Sequence, residues 1–206
     1  MYTPPYNRAE DRAAILEMMR AHNFCLLVTG SGGELHGTHL PCLVDERGER
    51  GERLVIELHM AKANPQWQQF FDDEVLVVFS GPHAYVSPRW YARAPAVPTW
   101  NYAAVHAYGR VTTFDDPQAK HAAQRRLVVA HDPQWLAQFD ALSQDYLASM
   151  LGAIVVFEVD VTRIDARWKL SQNRGRQEQD LIIENLERSR MAGDQGLAAL
   201  MRKHLV

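Results

Sequence analysis

The chain has 206 residues, the length of one ordinary domain. Its 47% hydrophobic and 23% charged content is that of a globular protein and excludes a disordered or collagen-like chain. A net charge of −3 gives no global attraction to nucleic acid, although the stretch from Arg163 to Val206 carries +3 against −6 for the rest.

The longest apolar runs, residues 75–79 and 153–157, are strand-length and too short to span a bilayer. The opening Met-Tyr-Thr-Pro-Pro-Tyr lacks the basic flank and apolar stretch of a secretory signal, so a cytoplasmic location is expected. Two cysteines, Cys25 and Cys42, lie in apolar segments without CxxC spacing and read as buried thiols.

In chain order, the first expected element is a helix capped by Asn7, with Glu10 completing a capping box. Ile15, Leu16 and Met19 recur along it at helical spacing, and Asn23 ends it. Residues 24–29 then read as a strand, and Ser31-Gly32-Gly33 as a hairpin turn. In the strand at 35–44, Thr38, Leu40, Cys42 and Val44 share one face and His39, Pro41 and Leu43 the other. Pro41 marks an edge or bulge there. A third strand alternates Leu54, Ile56 and Leu58 with Val55, Glu57 and His59.

A short helical stretch around Trp67 and Phe70 follows Asn64-Pro65. Residues 74–80 are the most strand-like run, punctuated by Gly81-Pro82 and resumed at 84–87. A loop at 92–98 leads to a long strand at 99–113. There Asn101, Ala103, Val105, Ala107 and Gly109 form a face of small residues opposite Tyr102, His106 and Tyr108.

Asp115-Asp116-Pro117 opens a helix to about His131, residues 132–143 fit no clear period, and Ser143 opens another helix that Gly152 can end. Residues 153–161 return to strand, and 163–176 read as an arginine-rich connector. Residues 177–190 are amphipathic, 191–196 break the pattern, and a last short helix follows. Strands mostly consecutive, with hairpin turns and helices that do not alternate with them, give an α+β chain built on an antiparallel barrel.

The chain has no GxGxxG or Walker loop, no HExxH and no GxSxG elbow. His36 and His39, three apart on a strand, point to opposite faces and cannot share a metal, and no metal site is expected. Chemistry concentrates between positions 59 and 106 instead, where three of the five tryptophans fall. Trp and Tyr pair a flat apolar face with a polar handle, which suits a planar heteroaromatic ring. Lys62, Ser87, Thr99 and Asn101 supply the charge and donors that a phosphate or carbonyl needs. A barrel mouth plugged by aromatics would leave the same pattern. A second cluster, Trp168-Lys-Leu-Ser-Gln-Asn-Arg174, follows an exposed-type aromatic and reads either as an anion or ring-edge site or as a polar connector.

Five ordered blocks carry a family resemblance. They are Thr38-His-Leu-Pro41, His59-Met-Ala-Lys-Ala-Asn-Pro-Gln-Trp67, Gly81-Pro-His-Ala-Tyr-Val-Ser-Pro-Arg-Trp-Tyr91, Val97-Pro-Thr-Trp-Asn-Tyr102 with Val105-His106, and Lys169-Leu-Ser-Gln-Asn-Arg174. Together they closely resemble the PaiB family of bacterial FMN-binding-type negative transcriptional regulators, from Met1 to at least Glu187. The resemblance implies an antiparallel FMN-binding split β-barrel over residues 1–175, with a helical insertion at 115–152 and a helical tail at 176–206 packed on the same domain. It also implies a homodimer similar to pyridoxamine-phosphate-oxidase-like flavoproteins, with FMN in a groove shared by two subunits.

Lys62 stands where the wider group places the basic residue that holds the FMN phosphate. Thr38, His39, Leu40 and Pro41 match the strand beneath the isoalloxazine ring. Trp100-Asn101-Tyr102 and Lys169, Leu170, Ser171 and Gln172 resemble contacts from the second chain. His59, Asn64, Ser87, Trp90 and Thr99 complete the expected cofactor-binding set.

The function implied is negative transcriptional regulation. A flavin-dependent oxidoreductase is the alternative, in which the cofactor carries the chemistry and no side chain stands out as catalytic. A haem-binding barrel is a weaker alternative, since histidines line the expected groove. DNA is an implied partner, yet the tail offers no convincing reading helix. Its second helix is apolar at Leu197, Leu200 and Met201, with only Arg202, Lys203 and His204 at a polar end, whereas a recognition helix needs several base-reading side chains on one face.

Overall fold

A computed structural model describes residues 1–31, 33–70 and 74–205. Its strands are β1 (Phe24–Ser31), β2 (Glu34–Arg47), β3 (Arg53–Ala61), β4 (Val75–Val86), β5 (Thr99–Phe114) and β6 (Ile154–Lys169). They close a barrel in the order β1-β2-β3-β6-β5-β4. The pairings of β1 with β2 and β4, and of β3 with β2 and β6, are antiparallel. The helices are α1 (Arg12–Ala21), α2 (Pro117–His131), α3 (Leu136–Asp140), α4 (Gln144–Gly152), α5 (Arg176–Glu187) and α6 (Ala192–Leu205). This is the expected α+β barrel. Among the described residues no helix is long and apolar enough to cross a membrane.

The chain forms two compact units. One comprises residues 19–79 and 107–164, the other residues 1–18, 80–106 and 165–206. In the first, β2 shows the expected alternation, with Leu40, Cys42 and Val44 buried and His39 exposed. Pro41 is the last β2 residue paired with β1, opposite Phe24, and Cys42 is the first paired with β3, opposite Leu58. A residue without N–H is thus tolerated at the point where β2 changes partner. The pair Ser31–Glu34 closes the β1–β2 hairpin, with Gly33 at φ +88°. Gly32, the centre of the expected turn, lies outside the described residues.

β3 is buried on both faces rather than one, because α2 covers its outer side. Glu57 is sequestered there by Arg126 of α2 and by Arg47, while Lys120 of α2 donates to the Ile154 carbonyl at 3.2 Å. Asp116 caps α2 by accepting from the Ala119 N–H at 2.8 Å, and Ser143 caps α4, as the sequence leads one to expect. The stretch without clear period resolves into a 3-10 turn and the short α3, anchored by Phe139 stacked on His121.

The barrel interior of this unit is apolar, with Phe70 and Phe157 ring centroids 4.8 Å apart. Cys25 and Cys42 are free and buried, and the Cys25 thiol donates to the Leu40 carbonyl at 3.4 Å. A hydrogen bond with Cys25, reinforced by burial, pushes the Cys42 thiol far above the usual range, so Cys42 is not a ready nucleophile.

The small-residue face of β5 is buried from Asn101 to Gly109. At Gly109 an added Cβ would stand 2.3 Å from the Asp160 carbonyl oxygen and 2.7 Å from Val159 Cγ1. We expect Gly109→Ala to cost roughly 1–3 kcal/mol, read as a lower urea midpoint at unchanged slope, because backbone rather than a flexible side chain must move.

In the other unit, α5 and α6 bury Ile182, Ile183, Leu186, Leu197, Ala198 and Met201 together with Trp168 and Leu170 of the β6 end. Several boundaries differ from expectation here. Helix α1 starts at Arg12, capped by Asp11, which accepts from the Ala13 and Ala14 N–H groups at 2.9 and 3.3 Å. Asn7, itself buried, belongs instead to a 3-10 turn.

The expected connector at 163–176 is strand as far as Lys169, because alternation continues through Ala166 and Trp168 facing inward. Trp168 is accordingly buried, at 4% exposure, not exposed. The expected break at 191–196 is confined to its first residue. Gly193 and Gly196 lie inside the 14-residue α6, where the helix passes His83 and Pro82.

Candidate functional site

Two clusters, one in each unit, gather about half of the expected site residues. The first centres on Gln66, which is 1% exposed. Its Nε2 donates to the Leu27 carbonyl, Thr29 Oγ1 and the His36 carbonyl at 3.3, 3.2 and 3.1 Å, and its Oε1 accepts from the Thr38 hydroxyl. Asn64 donates to Thr38 Oγ1 at 2.9 Å and caps the 3-10 turn Pro65–Gln69 by accepting from the Gln66 N–H. Thr38 and Asn64 are therefore brought together, 26 residues apart in sequence, by a fully buried amide.

Lys62 is exposed between the end of β3 and this turn, and its carbonyl accepts from Trp67 Nε1 at 3.0 Å. His39 is exposed and stacked on Phe24, with centroids 5.8 Å apart. Leu40 points into the barrel core. Pro41 and His59 face α2 across a nearly closed crevice with Ala123, Gln124 and Leu127. Burial lowers the His59 pKa, which keeps its imidazole neutral at physiological pH.

The second cluster lines a cavity of about 220 Å³. Thr99, Asn101, Lys169, Ser171 and Gln172 all contribute, together with Arg167 and Arg174. Lys169 Nζ donates to Thr99 Oγ1 and to the Trp100 carbonyl, the latter at 3.0 Å. Burial, and then the neighbouring Arg167, lowers the Lys169 pKa below the ordinary lysine value.

Ser171 adopts φ +63°, a left-handed conformation that a serine enters at a cost. It is held there by the fully buried Asn101, whose Nδ2 donates to Ser171 Oγ at 2.9 Å, and by Gln179, which donates to the carbonyls of Ser171 and Arg174. Gln172 folds back, with its side-chain oxygen accepting from the Leu170 N–H at 2.8 Å and its amide donating to the Trp168 carbonyl. Arg174 stacks on Tyr91 at 3.7 Å and pairs with Glu178. Arg167 donates to the Tyr2 carbonyl through Nη1, while its Nε is buried with no hydrogen-bond partner.

Trp100 is half exposed and stacks on His83, with Tyr85 edge-on. Ser87 is buried, its oxygen committed to the Arg89 N–H and Nε. Trp90 ends the same short turn and is partly exposed. Burial also lowers the His106 pKa.

Gln66 and Arg167 are the important residues that sequence reasoning passed over. Gln66 sits inside the quoted Asn-Pro-Gln block, but nothing in sequence tells a buried amide from an exposed one. Arg167 would have emerged from extending the period-2 pattern of β6, which places 167 and 169 on one face. Among the described residues no group of three or more His, Cys, Asp and Glu side chains is placed to hold a metal ion.

The donor set fits a flavin mononucleotide: cations, hydroxyls and one orphaned buried N–H, beside half-exposed aromatic faces. Residues 1–163 match the family model described as "Putative FMN-binding domain". The chain is 35% identical, over all of its own length and 98% of the relative's, to Protease synthase and sporulation protein PAI 2 of Bacillus subtilis. The fold resembles that of the flavocytochrome Anf3 from Azotobacter vinelandii (TM-score 0.61, 16% identity, 81% of this chain and 72% of that one). It also resembles the FAD and heme binding protein from Mycobacterium smegmatis (TM-score 0.62, 12% identity, 84% and 78%). With its barrel, its five sequence blocks and these matches, the chain belongs to the PaiB-type family of FMN-binding split-barrel proteins, and FMN is its cofactor.

Proposed function

We propose that the protein is a homodimeric, FMN-binding negative regulator of transcription in which each flavin is held by residues of both copies. The observation that carries the shared site is a mismatch of size. The cationic cavity measures about 220 Å³, whereas pockets that enclose a whole ligand of drug size run to roughly 300–1,000 Å³. One copy's cavity suits one end of a flavin.

In this reading Lys62 takes the phosphate, which carries close to two charges, and the Thr38–Pro41 stretch of β2 lies beneath the ring. Asn64 and Thr38, pinned by Gln66, hold the approach in place. Trp100, Thr99, Asn101, Lys169, Ser171 and Gln172 of the other copy close over the pyrimidine end, with Arg167 and Arg174 adding positive charge there. FMN supplies redox-active chemistry when bound, and the protein supplies orientation and electrostatics.

The tail supports regulation through flavin binding or a partner rather than through a reading helix of its own. Helix α6 buries Leu197, Ala198 and Met201, and its terminal cations are paired, Arg202 with Glu187 and Lys203 with Glu17. A cytoplasmic location follows from this role.

The test is a titration with FMN, read by quenching of tryptophan fluorescence and by the visible flavin spectrum, beside light scattering after size exclusion. The expected result is saturation at one FMN per chain in a particle of twice the chain mass. No quenching at tens of micromolar FMN would remove the chemical basis of the reading, and a monomer that binds FMN at full stoichiometry would remove the shared site.

A further inference from the structure

We propose that the cavity behind Trp168 is a second small-molecule site, built for an uncharged single-ring ligand that brings one hydrogen-bond acceptor. The strand alternation that turns Arg167 and Lys169 toward the cationic cavity turns Trp168 the other way, and Leu170, just past the strand, lies on the Trp168 side. Those two line a different cavity of about 220 Å³, walled by the segment from Arg8 to Asp11, by Ala14 of α1 and by His204 and Leu205 of α6. Gln172 borders both.

Trp168 is 4% exposed, and its Nε1–H is buried with no hydrogen-bond partner. An indole N–H is a donor only, so what satisfies it must be an acceptor. Leaving a buried donor unmade is unfavourable, so in this proposal a small tilt of the indole turns the N–H to the cavity, where an entering acceptor gains an interaction it does not have to compete for. The His204 ring packs edge-on against Trp168, centroids 6.3 Å apart. Burial lowers the His204 pKa, so a neutral imidazole forms that wall at physiological pH.

Size and charge narrow the ligand. A cavity of about 150 Å³ accepts benzene, so this one admits a ring with a small substituent. Its charged lining is Arg8 against Glu10 and Asp11, one more carboxylate than cation, while Lys203 of the adjoining helix is spoken for by Glu17. The balance disfavours an anion and leaves a carbonyl, or a ring nitrogen, as the acceptor. Ala9, Ala14, Leu170 and Leu205 supply the apolar walls for the ring face.

Benzamide and benzoate, of nearly the same shape and different charge, are the probes. The experiment follows the indole N–H resonances of the ¹⁵N-labelled full chain, with and without excess FMN, so that a ring entering the flavin site is told apart. The Trp168 signal is assigned by its loss in Trp168→Phe. Benzamide is expected to move that signal downfield and to saturate in the low millimolar range, unaffected by FMN, with benzoate at least fivefold weaker.

Glu10→Gln, at an exposed position, should narrow that gap by about twofold to threefold. Ala14→Phe should keep the Trp168 resonance and abolish its response. A Trp168 signal unmoved by benzamide up to its solubility would mean that the cavity holds only solvent, and would overturn the proposal. Equal binding of benzoate would overturn the assignment of an uncharged ligand.

Discussion

Replacing Gln66 by alanine is expected to lower the unfolding free energy by about 3–4 kcal/mol, the largest loss from any single truncation in the Thr38–Asn64 cluster. The side chain is fully buried and makes four side-chain hydrogen bonds, to two carbonyls and two hydroxyls on β1 and β2. Each partner left unsatisfied costs about 1–3 kcal/mol, and the vacated volume adds a cavity term, although these do not sum because some partners can rearrange.

Gln66→Glu is the sharper control. It keeps the volume but turns the donor into an acceptor facing two carbonyls, so it should be nearly as damaging at neutral pH. Thr38→Ser, which keeps the hydroxyl that Gln66 accepts from, should stay within about 1 kcal/mol of wild type. Equilibrium urea unfolding checks all three. If Gln66→Ala and Thr38→Ser were equally stable, the amide would not be the anchor of this cluster.

The same residue shows what the sequence could and could not disclose. Alternation in β2 and in the small-residue face of β5 told which side chains face the core, because a half-buried strand must alternate to bury one face. Capping residues Asp116 and Ser143 announced α2 and α4 for equally local reasons. Long-range placement was not legible in that way.

Nothing local says that α2 lies over the outer face of β3, so the alternation of Val55, Glu57 and His59 gave no sign that Arg126 and Leu127 cover that face. The basic stretch after Val161 read as a connector because Arg163, Arg167 and Lys169 masked the alternation of Ala166 and Trp168 beneath. A strand whose outward residues are long cations and whose inward ones are few looks irregular to any pattern of period two. The aromatic and polar blocks were legible as candidates for a ring site. Their division into a Gln66-centred cluster and a Lys169-centred cavity required the fold.

That division yields the second large effect, a contrast between two lysines. Lys62→Met is expected to weaken FMN binding roughly 10- to 100-fold, the equivalent of about 1.5–3 kcal/mol for one charge-assisted contact to a phosphate. Lys169→Met should weaken it less than tenfold. Its distinctive result is a reduction potential of bound FMN lower by roughly 30 mV, since a cation facing the ring end favours the electron-rich form and about 1.4 kcal/mol corresponds to that shift in a two-electron couple.

The pH dependence separates the two further. The Lys169 pKa lies below the ordinary 10.5. Its charge is therefore present below that lowered value and is lost as pH rises through it, before an ordinary lysine would titrate. The wild-type potential should fall toward that of Lys169→Met over this alkaline range, whereas Lys62→Met should keep the wild-type profile.

Stability runs the opposite way. The folded state disfavours the charged form of Lys169, so this group weakens the fold most below its lowered pKa, and the penalty disappears above the unfolded value. Lys169→Met removes that penalty while leaving Thr99 Oγ1 and the Trp100 carbonyl without their donor, so neutral-pH stability should change by less than about 1 kcal/mol. A loss of FMN affinity in Lys169→Met as great as that in Lys62→Met, with no change in potential, would move the phosphate from Lys62 to the cationic cavity.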